Sequence, residues 1–326
     1  MNKKTLRDID IKNKKVLVRC DFNVPLDENG NITDDIRITS SLPTINYILD
    51  KGGALVLMSH LGRPKGEANQ KYSLLPVAKR LSELLGKEVI FEACDKVVDN
   101  DVKAKASSLK PGEVMLLQNT RFRKEEEKNE EQFAKELASL GDMYVNDAFG
   151  TAHRAHASNV GVCQYLPSAV GFLVEREIDI MGNALNNPKR PFTAILGGAK
   201  VSDKIAVIEN LINIADNILI GGGMTYTFLK SMGYSTGNSL LEKEKVELAG
   251  ELIEKARIKN VKLLLPVDTV VAKEIKNDTE FYTVDATKIP ENFMGVDIGE
   301  KTAEMFSKVI KESKTIIWNG PLGVFE

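Results

Sequence analysis

The sequence predicts an α/β protein with two parallel sheets joined by a helix, and three observations support this. Short continuous apolar runs rich in Val, Ile and Leu recur along the 326 residues, helical patterns lie between them, and this alternation occurs twice. Continuous apolar runs indicate strands that are buried on both faces of a parallel sheet. A chain of this length also favours two domains over one core.

The first half of the chain contains the first strand-helix series. Apolar runs predict five strands, at residues 15–19, 54–58, 88–91, 114–117 and 143–145. Apolar residues at helical spacing predict helices at residues 74–85 and 129–140. Alternation of this kind implies parallel strands with right-handed crossovers.

The join between the two series is predicted near residues 166–191. A helical stretch at residues 170–185 ends in Asn186-Asn187-Pro188, and a new strand follows. We therefore assign residues 1–168 to a first domain, 169–188 to a linker helix and 189–326 to a second domain. The second series has predicted strands at residues 193–196, 217–220, 262–266 and 315–318, with helices at 204–214, 243–258 and 301–311.

Composition restricts the class of protein. Hydrophobic residues make up 43% and charged residues 28%, the formal net charge is −2, and no apolar run approaches the roughly 18 residues that span a bilayer. Three widely separated cysteines fit reduced thiols in a cytoplasmic protein better than a disulfide framework. Because the whole chain is not basic, any anion site must come from local placement of charge.

Polar and cationic residues follow four predicted strands of the first half. In an open parallel sheet, ligands bind beyond the carboxyl ends of the strands. Since arginine binds phosphate and carboxylate in a bidentate manner, this pattern predicts a site for a phosphorylated acid. The residues are Asp21 and Asn23, then His60 and Arg63, then Arg121, and finally His153, Arg154 and His156, with Arg37 joining them if the turn at residues 27–30 folds its segment back.

The second half carries glycine-rich strand ends instead. Residues 197–204 (GGAKVSDK) and 221–225 (GGGMT) offer backbone N–H groups to a phosphate, which is a feature of nucleotide sites. Lys200 and Lys204 are predicted one helical turn apart, facing the same phosphate chain. Neither segment matches the P-loop or the GxGxxG pattern, so alone they do not separate a nucleotide site from tight turns.

Three other features have simpler explanations. Asp27-Glu28-Asn29-Gly30 has the composition of a calcium loop but the spacing of a turn. His153 and His156 lack a third metal ligand at a fixed spacing, so we predict no resident metal. The charge run at residues 124–131 is predicted to be the solvated start of a helix.

Taken together, these segments resemble the phosphoglycerate kinase family over the whole chain. Five motifs stand in the family's order: residues 16–25 (VLVRCDFNVP), 60–64 (HLGRP), 148–154 (AFGTAHR), 197–204 (GGAKVSDK) and 318–321 (WNGP). The resemblance implies two Rossmann-like, doubly wound parallel-sheet domains that face each other across a cleft and close by hinge bending. It also implies a cytoplasmic monomer without nucleic-acid or membrane partners.

The same resemblance implies a role for individual residues. The substrates would be 3-phosphoglycerate or 1,3-bisphosphoglycerate in the first domain, and ATP or ADP with Mg²⁺ in the second. Arg37 and Lys200 are expected to act on the transferred phosphoryl group, and the carboxylate acceptor would need no general base because its pKa is near ~4. The matching acid-binding residues are Asp21, Asn23, Arg37, His60, Arg63, Arg121 and Arg154, and the matching nucleotide-binding residues are Lys200, Lys204, Gly295 and Glu326.

Family members continue beyond Glu326 with a further strand and a Gly-Gly-Gly-Asp loop whose Asp holds the Mg²⁺. We therefore expect an exposed apolar edge in the second sheet. The alternative interpretation of the function is that this chain is a truncated, catalytically impaired form that still binds the phosphorylated acid. A non-catalytic anion-binding module also stays open, whereas a nicotinamide dehydrogenase is disfavoured by the missing GxGxxG.

Overall fold

The computed structural model describes residues 3–325, which form two compact units that divide between Gly182 and Asn183. We call them the N-terminal unit and the C-terminal unit. Each has its own parallel sheet and its own hydrophobic core. Within the described residues, no helix is long and apolar enough to cross a membrane.

The N-terminal unit contains one six-stranded sheet in which all pairings are parallel. Its strand order is 3-4-2-1-5-6, so the first strand is central. The carboxyl ends of strands 4, 2, 1 and 5 therefore lie side by side. The strands are β1 (Lys15–Arg19), β2 (Ala54–Met58), β3 (Val89–Glu92), β4 (Val114–Leu117), β5 (Met143–Asn146) and β6 (Ser168–Val170).

Helices cover both faces of this sheet. Val16 and Val18 of β1 point into one core and Leu17 points into the other, as strands buried on both sides require. This arrangement confirms the doubly wound fold for this unit. The helices are α1 (Ile36–Thr39), α2 (Leu42–Asp50), α3 (Leu75–Leu85), α4 (Asn100–Ser108), α5 (Lys124–Lys128), α6 (Glu131–Ala138) and α7 (Phe172–Asn186), the last of which runs into the second unit.

The C-terminal unit combines a parallel sheet with a smaller antiparallel one. The parallel sheet has the order β13-β7-β8-β9, and the antiparallel sheet has the order β11-β10-β12. The strands are β7 (Phe192–Leu196), β8 (Asn217–Ile220), β9 (Lys262–Leu264), β10 (Asp268–Ala272), β11 (Phe281–Asp285), β12 (Met294–Ile298) and β13 (Thr315–Asn319). The helices are α8 (Ile205–Leu211), α9 (Thr225–Ser231), α10 (Val246–Ile258) and α11 (Glu300–Glu312).

Most predicted strands are confirmed to within a residue, but the antiparallel sheet was not predicted. Strand β11 is largely exposed, so it lacks the continuous apolar run that marks a buried parallel strand. The strand expected at residues 262–266 ends at Leu264, and Asp268 begins the next sheet. Short β6 and the polar helix α4 also escaped prediction, because neither carries a strong apolar pattern.

Strand β13 forms one edge of the parallel sheet and presents an apolar surface. Its side chains Ile316 and Trp318 are 44% and 63% exposed. Among the described residues it pairs on one side only, with β7. These features match the exposed apolar edge that the sequence predicts.

One buried carboxylate connects strand β10 to helix α11 in the C-terminal unit. Asp268 of β10 accepts hydrogen bonds from the backbone N–H groups of Lys301 (3.0 Å) and Thr302 (2.8 Å) and from the Thr302 hydroxyl (2.6 Å). Burial raises the pKa of Asp268, but the hydrogen bonds from Thr302 and Lys301 and the charge of Lys301 together lower it below its ordinary value. Asp268 therefore caps α11 from a neighbouring strand, because the first N–H groups of a helix lack partners within it.

Replacement of this cap should destabilise the C-terminal unit. We expect Asp268→Asn to lower the free energy of unfolding by about 1–3 kcal/mol, because a charge-assisted acceptor is lost at a buried site. Urea unfolding followed by circular dichroism measures the change. Asp278→Asn, at an exposed position, is the matched control, and an equal loss in both variants would contradict the capping role.

Candidate functional site

Four neighbouring strands of the N-terminal unit bring the predicted polar residues to one edge of the sheet. Asp21 and Asn23 follow β1, and His60 and Arg63 follow β2. Arg121 lies on a 3-10 turn after β4, and the loop after β5 carries Arg154. Because the order β4-β2-β1-β5 places these carboxyl ends side by side, the structure brings together residues that are more than 130 positions apart.

Hydrogen bonds lock the first three loops to one another. The Asn23 side-chain oxygen accepts from the Gly62 N–H at 2.8 Å, and Arg121 Nη1 donates to the Gly62 carbonyl at 2.9 Å. Buried Asn119 donates to the Leu61 carbonyl at 2.7 Å and accepts from the Arg121 N–H at 3.0 Å. The loops therefore form one preorganised rim.

Arg37 reaches this rim through the predicted turn. The Asp27 carboxylate accepts the backbone N–H groups of Asn29 and Asn31, which confirms that residues 27–30 form a turn. The chain then folds back, and Arg37 Nη1 lies 2.5 Å from Asp21 Oδ2. The Arg37 side chain is about half exposed, so part of its guanidinium remains available to a ligand.

His60 is buried in the rim as a neutral imidazole. Its Nδ1 lies 3.2 Å from Arg19 Nη2, and since arginine has only donors, Nδ1 must accept. The proton of the neutral ring is therefore on Nε2. Burial and the positive charges of Arg19, Arg121 and Arg154 lower the pKa of His60 to about 2.

Positive charge exceeds negative charge among the rim residues. Arg121 is buried, and burial together with the charges of Arg154 and Arg19 lowers its pKa, although Glu127 opposes that shift from 3.1 Å away. Arg63 is exposed at the same edge. Arg154 is half-buried and donates from Nε to His153. Mutual repulsion of these cations makes the rim a favourable place for an anion.

The prediction that residues 124–131 form a solvated helix start is wrong at Glu126. This residue lies on α5 but its side chain is fully buried, where it accepts hydrogen bonds from Ser158. His156 is also buried, with Nδ1 3.9 Å from a Glu126 oxygen, and burial lowers the pKa of His156 while Glu126 opposes the shift. No local pattern in the sequence predicts this burial, because Glu126 lies within a run of charged residues, Lys124–Lys128.

In the C-terminal unit, three loops pack closely at the carboxyl end of the parallel sheet. The Gly222 N–H donates to the Leu322 carbonyl at 2.7 Å, and the Met224 N–H donates to the Gly198 carbonyl at 3.0 Å. Gly222 has a φ of +70°, and a Cβ there would lie 2.7 Å from backbone atoms of Gly198. Only glycine permits this approach, which brings the loops at residues 197–204 and 221–225 into contact.

Lys200 and Lys204 both lie on the loop before α8, not on one helical turn as predicted. Helix α8 begins at Ile205, because a turn occupies residues 202–204. Lys204 Nζ donates to the side-chain oxygen of Asn319, and Lys200 is exposed. Glu242 holds the loop by accepting the N–H (3.0 Å) and hydroxyl (2.5 Å) of Ser202.

Gly295 lies on β12 against the side chain of Tyr226. A Cβ at this position would collide with the phenol group, so a larger residue cannot enter without moving the tyrosine. Tyr226 is itself fixed through a 3.0 Å hydrogen bond with Thr269. The remaining predicted nucleotide residue, Glu326, lies outside the described residues.

The chain is similar in sequence to known proteins. A family model described as phosphoglycerate kinase matches residues 6–326. Among curated relatives, phosphoglycerate kinases of Finegoldia magna and Clostridium tetani are 60% and 58% identical over all 326 residues, which cover 82% and 81% of those proteins.

Two solved structures are similar as well. The phosphoglycerate kinase of Coxiella burnetii is 40% identical with a TM-score of 0.80, and the alignment covers 99% of this chain and 81% of that one. The phosphoglycerate kinase of Pyrococcus horikoshii OT3 is 32% identical with a TM-score of 0.77, with coverage of 99% and 82%.

The burial of His60 should make stability depend on pH. The folded state keeps the ring neutral down to about pH 2, whereas the unfolded chain takes up a proton near the ordinary pKa of 6.5. Stability is therefore lost as pH falls below 6.5, at about 1.4 kcal/mol per pH unit from this group. Buried His156 adds a loss of the same sign.

We expect His60→Gln to reduce the loss of unfolding free energy between pH 7.5 and pH 5 by about 2 kcal/mol. Urea unfolding at the two pH values measures it, with the exposed His153→Gln variant as control. The same pH-dependent loss in wild type and His60→Gln would refute the assignment of a buried neutral ring.

Proposed function

The chain belongs to the phosphoglycerate kinase family, and from this premise we propose which of its residues bind each substrate. It is a phosphotransferase with a carboxyl group as acceptor. It transfers a phosphoryl group reversibly between ATP and 3-phosphoglycerate, forming 1,3-bisphosphoglycerate and ADP, a step of glycolysis. Its fold is that of two Rossmann-like domains.

The N-terminal unit is the proposed site for 3-phosphoglycerate. The observation that carries this proposal is the rim of cations and neutral donors, which is preorganised by hydrogen bonds between loops. The guanidinium group of arginine can form bidentate hydrogen bonds with both the phosphate and the carboxylate of this ligand. The proposed ligand-binding residues are Asp21, Asn23, Arg37, His60, Arg63, Arg121 and Arg154.

The C-terminal unit is the proposed site for ATP or ADP. Lys200 and Lys204 lie on a glycine-rich loop that Glu242 fixes, and backbone N–H groups of such loops commonly bind phosphate oxygens. Gly295 and Glu326 are the proposed nucleoside contacts.

The chemistry fits these residue types. The acceptor carboxylate is ionised at neutral pH because its pKa is near ~4, so transfer requires no general base. Catalysis then depends on alignment and on neutralising the charge of the transferred group. Arg37 and Lys200 are the proposed residues for that task, since each has an exposed cationic group in its unit.

Mg²⁺ is proposed to enter with the nucleotide. Among residues 3–325, no group of three or more His, Cys, Asp or Glu side chains could hold a metal ion. Mg²⁺ in phosphotransferases is commonly bound by substrate phosphates, water and one or two carboxylates, so a protein cage is unnecessary. When bound, it would offset negative charge on the phosphates.

The remaining assignments are also proposals. Residues 1–168 and 189–326 would form the two substrate-binding domains, with residues 169–188 as the linking helix. We propose a cytoplasmic monomer that acts on small molecules, with no nucleic-acid or membrane partner. The formal net charge of −2 supports the proposal that the protein has no nucleic-acid partner.

Substitutions in the two units should affect different ligands. We expect Arg121→Met to weaken 3-phosphoglycerate binding at least tenfold and to leave MgADP binding unchanged, because it removes a buried cation from the rim. Lys204→Met should weaken MgADP binding and leave acid binding unchanged. Calorimetric titration of each variant with each ligand measures both effects.

Arg257→Met is the matched control for this experiment, since Arg257 is exposed on α10 and pairs only with Glu254 among the described residues. If Arg121→Met weakened MgADP binding as strongly as acid binding, the assignment of one ligand to each unit would be wrong.

The contact of Gly295 with Tyr226 gives a separate prediction for the nucleotide. Gly295→Ala should displace Tyr226 and weaken MgADP binding, with little effect on 3-phosphoglycerate. Gly182→Ala is the control, because a Cβ there meets no atom within 4 Å. Unchanged MgADP affinity in a folded Gly295→Ala protein would exclude the nucleoside from this position.

A further inference from the structure

A buried pair of opposite charges lies behind the rim of the N-terminal unit. Arg19 at the end of β1 and Glu126 on α5 are both fully buried, with 0% exposure. Neither belongs to the residues assigned above to substrate. Burial of a charge is costly unless it is paired and hydrogen-bonded, so both side chains need a structural or functional explanation.

The two charges are connected through one hydroxyl group. Arg19 Nε donates to Ser158 Oγ at 2.8 Å, and Ser158 Oγ donates to Glu126 Oε1 at 2.6 Å. The Ser158 N–H donates to the other Glu126 oxygen at 3.0 Å. Both carboxylate oxygens are thus occupied by Ser158, which is itself fully buried.

The other end of Arg19 contacts a rim residue. Its Nη2 donates to His60 Nδ1, and its Nη1 donates to the Cys20 carbonyl. The connected series is therefore Glu126, Ser158, Arg19 and His60, and it spans α5, the loop after β5, β1 and the loop after β2. The nitrogen of His60 that remains as a donor is Nε2.

We propose that Glu126 and Ser158 are positioning residues for the acid site, which fix Arg19 so that it holds His60 as a neutral Nε2–H donor to the phosphorylated acid. The proposal rests on the proposed function of the rim. It assigns Glu126 no contact with substrate. Glu126 acts through Arg19. Within the described residues, the only hydrogen-bonded path from the Arg19 guanidinium to a carboxylate runs through Ser158 to Glu126.

A neutral histidine suits this place because the rim already has excess positive charge. The charged and titratable groups that face His60 are Arg19 from β1, Arg121 from the turn after β4, and Arg154 and His156 from the loop after β5. A fourth cation would add repulsion in the empty site. A neutral N–H supplies a directional hydrogen bond without that repulsion.

Ser158 also connects the carboxylate to the loop that carries Arg154. It lies in a π-helical turn, Ala157–Gly161, in which the N–H groups of Asn159, Val160 and Gly161 all point to the His156 carbonyl. Asn159 donates from its side chain to the Thr151 carbonyl at 2.8 Å. Glu126 therefore anchors both the Arg19–His60 pair and this loop, and π-helical turns are frequent at functional sites.

The direct test is the protonation pattern of the His60 ring. Long-range ¹H–¹⁵N correlation spectra at pH 7 distinguish Nε2–H from Nδ1–H rings, and the chain has only three histidines. In the wild-type protein we expect Nε2–H alone for His60. A wild-type ring that is protonated at Nδ1 overturns the proposal without any variant.

The variant test uses Glu126→Gln in the full chain. Glutamine keeps the size but replaces one acceptor oxygen with an NH₂ group, so only one of the two hydrogen bonds from Ser158 survives. We expect mixed His60 tautomers and about tenfold weaker 3-phosphoglycerate binding, with MgADP binding unchanged. Glu92→Gln is the matched control, a buried carboxylate on β3 that pairs with Lys105.

A folded Glu126→Gln protein with the wild-type tautomer and acid affinity overturns the proposal. If this variant does not fold, Ser158→Ala breaks the connection between Glu126 and Arg19 while both charges stay in place. An unchanged His60 tautomer and unchanged affinity for 3-phosphoglycerate in Ser158→Ala would likewise overturn the proposal. If the wild-type protein does not bind 3-phosphoglycerate but Glu126→Gln changes the His60 tautomer, the positioning role stands and the proposed ligand is wrong.

Discussion

Positive charge held partly out of water at one edge of the N-terminal sheet is the constraint on which the rest of this unit depends. Arg121 is buried there, as is the neutral ring of His60, and Arg37, Arg63 and Arg154 lie on the same edge. Like charges at close range repel, so loops must be held in place by other bonds. Asn23 and Asn119 supply them by linking neighbouring loops.

The C-terminal unit solves a related problem in a different way. Its loops offer backbone groups and two lysines, and glycines allow the loops to approach closely. We propose that the phosphorylated acid is bound by directional side chains of the rim, and that the phosphate chain of the nucleotide is bound by lysines and backbone N–H groups. Both units contain a parallel sheet, but the proposed anion sites would use different chemical groups.

The sequence predicted the parallel strands and the rim because both depend on local patterns. A continuous apolar run defines a buried strand, and the loop after it must lie at the carboxyl edge. The buried state of Glu126 could not be predicted, because it depends on Ser158 and Arg19, which are far away in the sequence. The same limit applies to Lys200 and Lys204, which were predicted to lie one helical turn apart but lie on the loop before α8.

The central claim is that the rim of the N-terminal unit binds the phosphorylated acid. Hydrogen–deuterium exchange of the chain with and without 3-phosphoglycerate tests it most directly, because the method reports each loop separately. The account predicts slower exchange in residues 20–25, 59–64, 119–123 and 149–158, with no change in residues 197–204. Protection confined to the C-terminal unit, or no protection at a saturating concentration of acid, would contradict it.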